Sequence, residues 1–179
     1  MKKKLLFILI LAFGLTSCDL LKVGDADKEP QLPPITNTGQ NTFGAKVNGK
    51  IMVVNDIVKL TAIHQFPDAL NIGGGYIDPK KNIDQRIQMS INGEEVKVGT
   101  YEISSQNTDT REFAYIDDAS NCIYLKSFNS STKYEGTLEI VYLDRANTII
   151  SGIFSFRISV DGCQDINVTD GRFDLKYID

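Results

Sequence analysis

Ile149-Ile-Ser-Gly-Ile-Phe-Ser-Phe-Arg-Ile-Ser-Val160 decides the fold class. Ile150, Phe154, Phe156, Ile158 and Val160 share one parity, while Ser151, Ser155, Arg157 and Ser159 share the other. Side chains alternate across a strand, so this spacing predicts one buried and one wet face. Working outward, Arg86–Ile91 alternates Ile87, Met89 and Ile91 with Arg86, Gln88 and Ser90. Thr137–Tyr142 places Leu138, Ile140 and Tyr142 on one side. Both read as half-buried strands.

Turn chemistry separates these runs. Asn48-Gly49, between Phe43–Val47 and Lys50–Val54, is a type I′ hairpin signal because both central residues tolerate positive φ. A two-residue turn there predicts the register: Ala45 faces Met52 and Phe43 faces Val54. Asn92-Gly93, Asp144–Asn147 and Asp161-Gly162 suggest further turns. About eight to ten short strands follow, an all-β antiparallel sandwich or flattened barrel.

Near the end the apolar phase slips, from even-numbered Ile166 and Val168 to odd-numbered Phe173, Leu175 and Tyr177. One extra residue at Asp170-Gly171 explains it, as a bulge with glycine at positive φ or as a tight turn. Asn55–Phe66 is the one helix candidate, with Asp56 as cap and Pro67 as stop, but Val58, Leu60, Ala62 and His64 also alternate, and strand is the favoured reading. Gly73-Gly74-Gly75 lacks the lysine and following helix of a phosphate loop and reads as a bulge, bend or close backbone approach, with Tyr76 the contact if a groove forms.

The start of the chain reads as an address. Residues 1–17 carry Lys2–Lys4, an apolar run from Leu5 to Leu15, then Thr16-Ser17, the layout of a secretory signal peptide. The run is too short for a hydrocarbon core, which needs about 20 residues. Leu15-Thr16-Ser17-Cys18 resembles the lipobox of bacterial lipoproteins, which implies that Cys18 is acylated and holds the protein on a membrane. Residues 18–41, with Asp25, Asp27, Glu29, Pro30, Pro33 and Pro34, read as a flexible acidic tether. Asp25-x-Asp27-x-Glu29 lacks the glycine and terminal glutamate of a calcium loop. The β domain is then 42–179.

Export permits disulfides, and Cys122 and Cys163 remain as an even pair once Cys18 is lipidated. Two separate buried thiols are the alternative. The chain has 19 Lys+Arg against 23 Asp+Glu, a balance of −4 that becomes −7 when Lys2–Lys4 are removed. No basic cluster survives, so a nucleic-acid partner is not expected.

One histidine leaves few routes to catalysis. Any Ser-His-Asp or Cys-His arrangement must use His64, which shares an apolar parity and reads as a buried, hydrogen-bonded side chain. Neither Glu94-Glu95 nor Asp117-Asp118 is a dyad by itself, because neighbours on a strand point to opposite faces. Asp117, Asp118 and Asn121 are the residues that a surface calcium ion would use, and solvated turns account for them equally. Tyr76, Tyr101, Tyr115, Tyr124, Tyr134 and Tyr142 are the candidates for stacking on a sugar. No catalytic residue, cofactor or metal is expected.

The lipobox, the polar tether, Phe43-Gly-Ala-Lys-Val-Asn-Gly-Lys50, Gly136-Thr-Leu, Ile150-Ser-Gly-Ile-Phe-Ser-Phe156 and Asp170-Gly-Arg-Phe-Asp-Leu-Lys-Tyr177 together resemble small lipoproteins of Bacteroidota that carry an uncharacterised all-β domain. The resemblance implies a place in the cell envelope, with the outer membrane the expected one, and no chemistry. The expected role is a non-catalytic module that binds a glycan or an envelope protein. A lipocalin-like carrier of an apolar ligand is the alternative, and a hydrolase ranks last.

Overall fold

The computed structural model describes residues 30–54, 56–106 and 110–179. The signal peptide, Cys18 and the Asp25–Glu29 run lie outside the described residues. Asn48 and Gly49 take positive φ of 47° and 80°. They join β1 (Thr42–Val47) to β2 (Lys50–Val54) with Phe43 opposite Val54 and Ala45 opposite Met52, the register expected of that turn.

The remaining strands are β3 (Leu60–Gln65), β4 (Ala69–Asp78), β5 (Ile83–Asn92), β6 (Gly99–Ser104), β7 (Arg111–Asp117), β8 (Cys122–Tyr124), β9 (Lys133–Asp144), β10 (Ile149–Ser159) and β11 (Ile166–Lys176). They form two antiparallel sheets, β2-β1-β11-β10-β9-β6 and β3-β4-β5-β7-β8, stacked as a sandwich and not closed into a barrel. The count is eleven rather than eight to ten. Three-residue β8 is too short to show an alternation, and the glycines of β4 interrupt its own.

The space between the sheets is filled. Phe113 of β7 stacks on Phe156 of β10 with ring centroids 4.4 Å apart, and Phe154 lies 5.3 Å from Phe43 and 6.4 Å from Phe173. Gly74 sets the approach at β4: a Cβ there would stand 2.6 Å from the Phe43 ring and 2.9 Å from the Val54 methyl. Gly74 thus serves close packing of one sheet on the other.

Three local expectations change. Residues Ile57–Lys59 form a 3₁₀ turn, with Asp56 accepting from the Val58 N–H at 3.0 Å, and the strand begins only at Leu60. An Asx cap outcompetes extension where one strand leaves the large sheet for the small one. Asn92-Gly93 makes no hairpin, because β5 and β6 belong to different sheets. At the β11 bulge the left-handed residue is Asp170, at φ 53°, and not Gly171. Gly171 is required for space: a Cβ would lie 2.5 Å from the Phe154 ring and 2.6 Å from its carbonyl oxygen.

Each edge strand of the five-stranded sheet is tied to the other sheet. Cys122 of β8 and Cys163 of the β10–β11 connection form a disulfide with Cα atoms 6.1 Å apart. At the opposite edge the chain beyond β11 runs parallel to β3. His64 N–H donates to the Ile178 carbonyl and Ile178 N–H donates to the Ala62 carbonyl, both at 2.9 Å.

The segment read as the end of a flexible tether is a docked strap. Asp174 of β11, 1% exposed, accepts from the Thr36 hydroxyl at 2.6 Å and from the backbone N–H groups of Thr38, Gly39 and Gln40 at 3.0, 2.7 and 3.3 Å. Arg172 donates to the Pro33 carbonyl, and Pro33 packs so tightly on β1 that a Cβ on Gly44 would lie 2.7 Å from it. Burial pushes the Asp174 carboxyl up, but the four donors outweigh it and hold the group below the ordinary aspartate range. The ordered domain therefore begins well before Thr42.

Candidate functional site

The strap covers β1 and the far half of β11 on the outer face of the six-stranded sheet, and among the described residues nothing covers the near half. Cross-strand pairing aligns Ser104, Glu135, Arg157 and Asn167 in one row over β6, β9, β10 and β11. Glu102, Thr137 and Ser155 form the next row. A trough of about 510 Å³ runs over the first row and meets a groove of about 400 Å³ over the second, with Glu135, Arg157 and Asn167 common to both. Lys133 and Asp165 complete the wall of the larger one.

Strand geometry makes this site. The wet parity of β10 puts Ser155, Arg157 and Ser159 on the outer face, while Phe154, Phe156 and Ile158 on the other parity are buried in the core beneath. The polar groups are therefore mounted on a rigid floor. Arg157 stands apart from the other arginines. Arg86 pairs with Asp118 and Arg111 with Glu94, while Arg145 lies over the Phe66 ring and Arg172 donates to the Asp170 and Pro33 carbonyls. Among the described residues Arg157 has no such partner, so its five donors face the trough.

The other candidates are dispersed. Glu94 is taken up by Arg111, whose hydrogen bonds hold its carboxyl below the ordinary range. Glu95 pairs with Lys97 at 2.8 Å. Asp117 accepts from Ser120 N–H at 3.3 Å while Asp118 pairs with Arg86, so the two carboxylates turn to different partners. Among the described residues no three His, Cys, Asp or Glu side chains converge as a metal set. Gly73 and Gly75 floor a separate groove of about 380 Å³ on the five-stranded sheet, but Tyr76 packs against the core and contributes nothing to it. Tyr101, Tyr115, Tyr124 and Tyr134 are buried, and the half-buried Tyr76 and Tyr142 donate to Asp78 and Asp144. The tyrosines thus build the sandwich and offer no sugar platform.

His64 is fully buried, as its parity implied, but neither ring nitrogen has a hydrogen-bond partner. The Tyr177 ring covers it edge-on, 5.1 Å between centroids. Burial lowers its pKa; Asp179 opposes the shift and Arg145 adds to it. Among the described residues no serine or cysteine hydrogen-bonds the ring, and Cys122 and Cys163 are consumed in the disulfide.

Comparison with known protein families, curated proteins and solved structures returned no match. The chemistry therefore rests on the side chains themselves. The trough residues went unnoticed in the sequence as a group because 31 positions separate Ser104 from Glu135 and 22 separate Glu135 from Arg157. Only the strand order β6-β9-β10-β11 makes them neighbours. The one available signal was the wet parity of 149–160.

Proposed function

We propose that the protein is an envelope lipoprotein, anchored through acylated Cys18 and akin to the Bacteroidota lipoproteins that its motifs resemble, whose sandwich binds a ligand and does not convert it. The ligand lies in the trough of the six-stranded sheet and is an extended, hydroxyl-rich chain bearing acidic groups, an acidic glycan. The observation that carries this reading is Arg157, which makes no hydrogen bond or ion pair among the described residues and is set between Glu135, Ser104 and Asn167 on four adjacent strands. A guanidinium recognises a carboxylate or sulfate by paired hydrogen bonds, and carboxylate and amide side chains bind hydroxyls. The aromatic packing between the sheets favours this reading over the carrier of an apolar ligand, which needs an unfilled interior.

Titration of the purified chain with uronic-acid and sulfated oligosaccharides, beside neutral ones, tests it. Binding of an acidic oligosaccharide that weakens about tenfold or more in Arg157→Ala supports the reading, since a charged hydrogen-bonded pair contributes about 1.5–3 kcal/mol. Failure of every oligosaccharide, or binding indifferent to Arg157→Ala and Glu135→Ala, overturns it. Loss of radiolabelled palmitate incorporation in Cys18→Ser tests the anchor separately.

A further inference from the structure

His64 lines a small pocket of about 240 Å³, with Phe66, Tyr177, Arg145 and Asp179, beneath the segment that fastens the two sheets at β3. Tyr177 covers it from the chain beyond β11, Phe66 stands edge-on at 6.2 Å, and Leu70 is its cross-strand partner on β4. Two charged groups act on the ring, Asp179 from the same covering segment and Arg145 from the β9–β10 connection. Arg145 is itself held over Phe66, 4.3 Å from the ring centroid. The Tyr177 phenol, pushed up by burial, adds no charge near neutral pH.

An unpartnered buried imidazole is costly when neutral and far more so when charged. Few polar contacts hold the cover: Tyr177 is packed into the core, but beyond β11 the backbone is held by Tyr177 N–H on the Thr148 carbonyl and by the two hydrogen bonds between Ile178 and β3. We propose that His64 is an acid-sensitive latch: protonation of its ring releases Tyr177–Asp179 from β3 and exposes that edge strand. The imidazolium then reaches water, which it cannot do while Tyr177 covers it, and this hydration outweighs the loss of Asp179, whose charge already acts on the ring in the closed form. Below neutral pH the opened form binds the extra proton and the closed form resists it, so acid drives opening.

The size follows from linkage. An exposed histidine titrates near 6.5. Between pH 7.5 and 5.0 the opening equilibrium therefore rises by up to about 30-fold if the closed ring stays neutral. Amide-exchange protection factors, which correct for the intrinsic pH dependence of exchange, read this directly. The Ile178 and His64 amides lose protection over this range, those of β10 keep theirs, and in His64→Phe the Ile178 amide is insensitive to pH. In the unmodified chain the closed-state ring resonances show no titration until well below the ordinary value. A ring that titrates at or above 6.5 with Ile178 still protected overturns the latch, as does an Ile178 protection factor unchanged between pH 7.5 and 5.0. The same pH profile in His64→Phe overturns it too. The ring titration needs no variant, so a substitution that fails to fold leaves the question decidable.

Discussion

Thr36 and Asp174 are 138 positions apart in sequence and joined by a 2.6 Å hydrogen bond from hydroxyl to carboxylate. Together with three successive backbone donors, that bond turns the entry segment into part of the domain. Asp174→Asn puts an amide N–H₂ among donors and leaves buried N–H groups without an acceptor. It is expected to cost more than about 2 kcal/mol in urea unfolding, since losing an ionic hydrogen-bond partner costs about 1.5–3 kcal/mol each. Protease cleavage between Gln31 and Gln40 should appear with it. A variant as stable and as resistant as the parent would show that the strap is incidental.

The same carboxylate sets an acid limb of stability. Its native pKa lies below the unfolded value, so its contribution is complete above about pH 4, where the unfolded carboxyl is already ionised. The contribution is lost as pH falls through the native pKa. Stability measured from pH 5 downward should fall less steeply in Asp174→Asn than in the parent; equal slopes would refute the assignment.

The disulfide closes a loop of 41 positions, for which chain entropy gives about 4 kcal/mol. Cys122→Ser/Cys163→Ser is expected to lower the unfolding free energy by up to that amount, read as a lower urea midpoint, while the far-UV spectrum stays that of a β protein. An unchanged midpoint would mean that the aromatic core alone sets stability.

At the β11 bulge, steric room and backbone conformation are required of different residues. Gly171→Val drives methyl groups into Phe154 and is expected to cost at least about 1–3 kcal/mol, the range of overpacked cores. Asp170→Gly relieves the left-handed residue and should leave the melting temperature nearly unchanged, because the Lys46 ion pair that it loses is exposed. The opposite ranking would return the conformational requirement to Gly171.

Much of this architecture was legible because its causes are local. The Asn48-Gly49 turn sets a register by itself, and the 149–160 alternation separates core from surface without knowledge of any neighbour. The strap was not legible, because three of Asp174's four donors are backbone N–H groups that every residue type shares. Pro30–Gln40 therefore carries the polar composition of a spacer although it is docked. The bulge showed as a phase slip, but sequence does not say which of Asp170 and Gly171 turns left-handed, since aspartate tolerates that region too. His64 was placed correctly by parity, while its lack of partners depends on Tyr177, which no spacing rule brings to it. The trough needed the order of four strands.

The fastening of β3 and β8 bears on how these molecules behave when many are crowded side by side. An edge strand with free N–H and C=O groups is a template on which another chain can polymerise. Here Ile178 occupies the middle of one margin of the smaller sheet, and the other ends in a three-residue strand clamped by a covalent link. Growth of fibrils from that sheet is thereby opposed at both borders, and the smaller sheet's resistance to edge pairing depends on the two Ile178 hydrogen bonds at one and a redox-sensitive bond at the other.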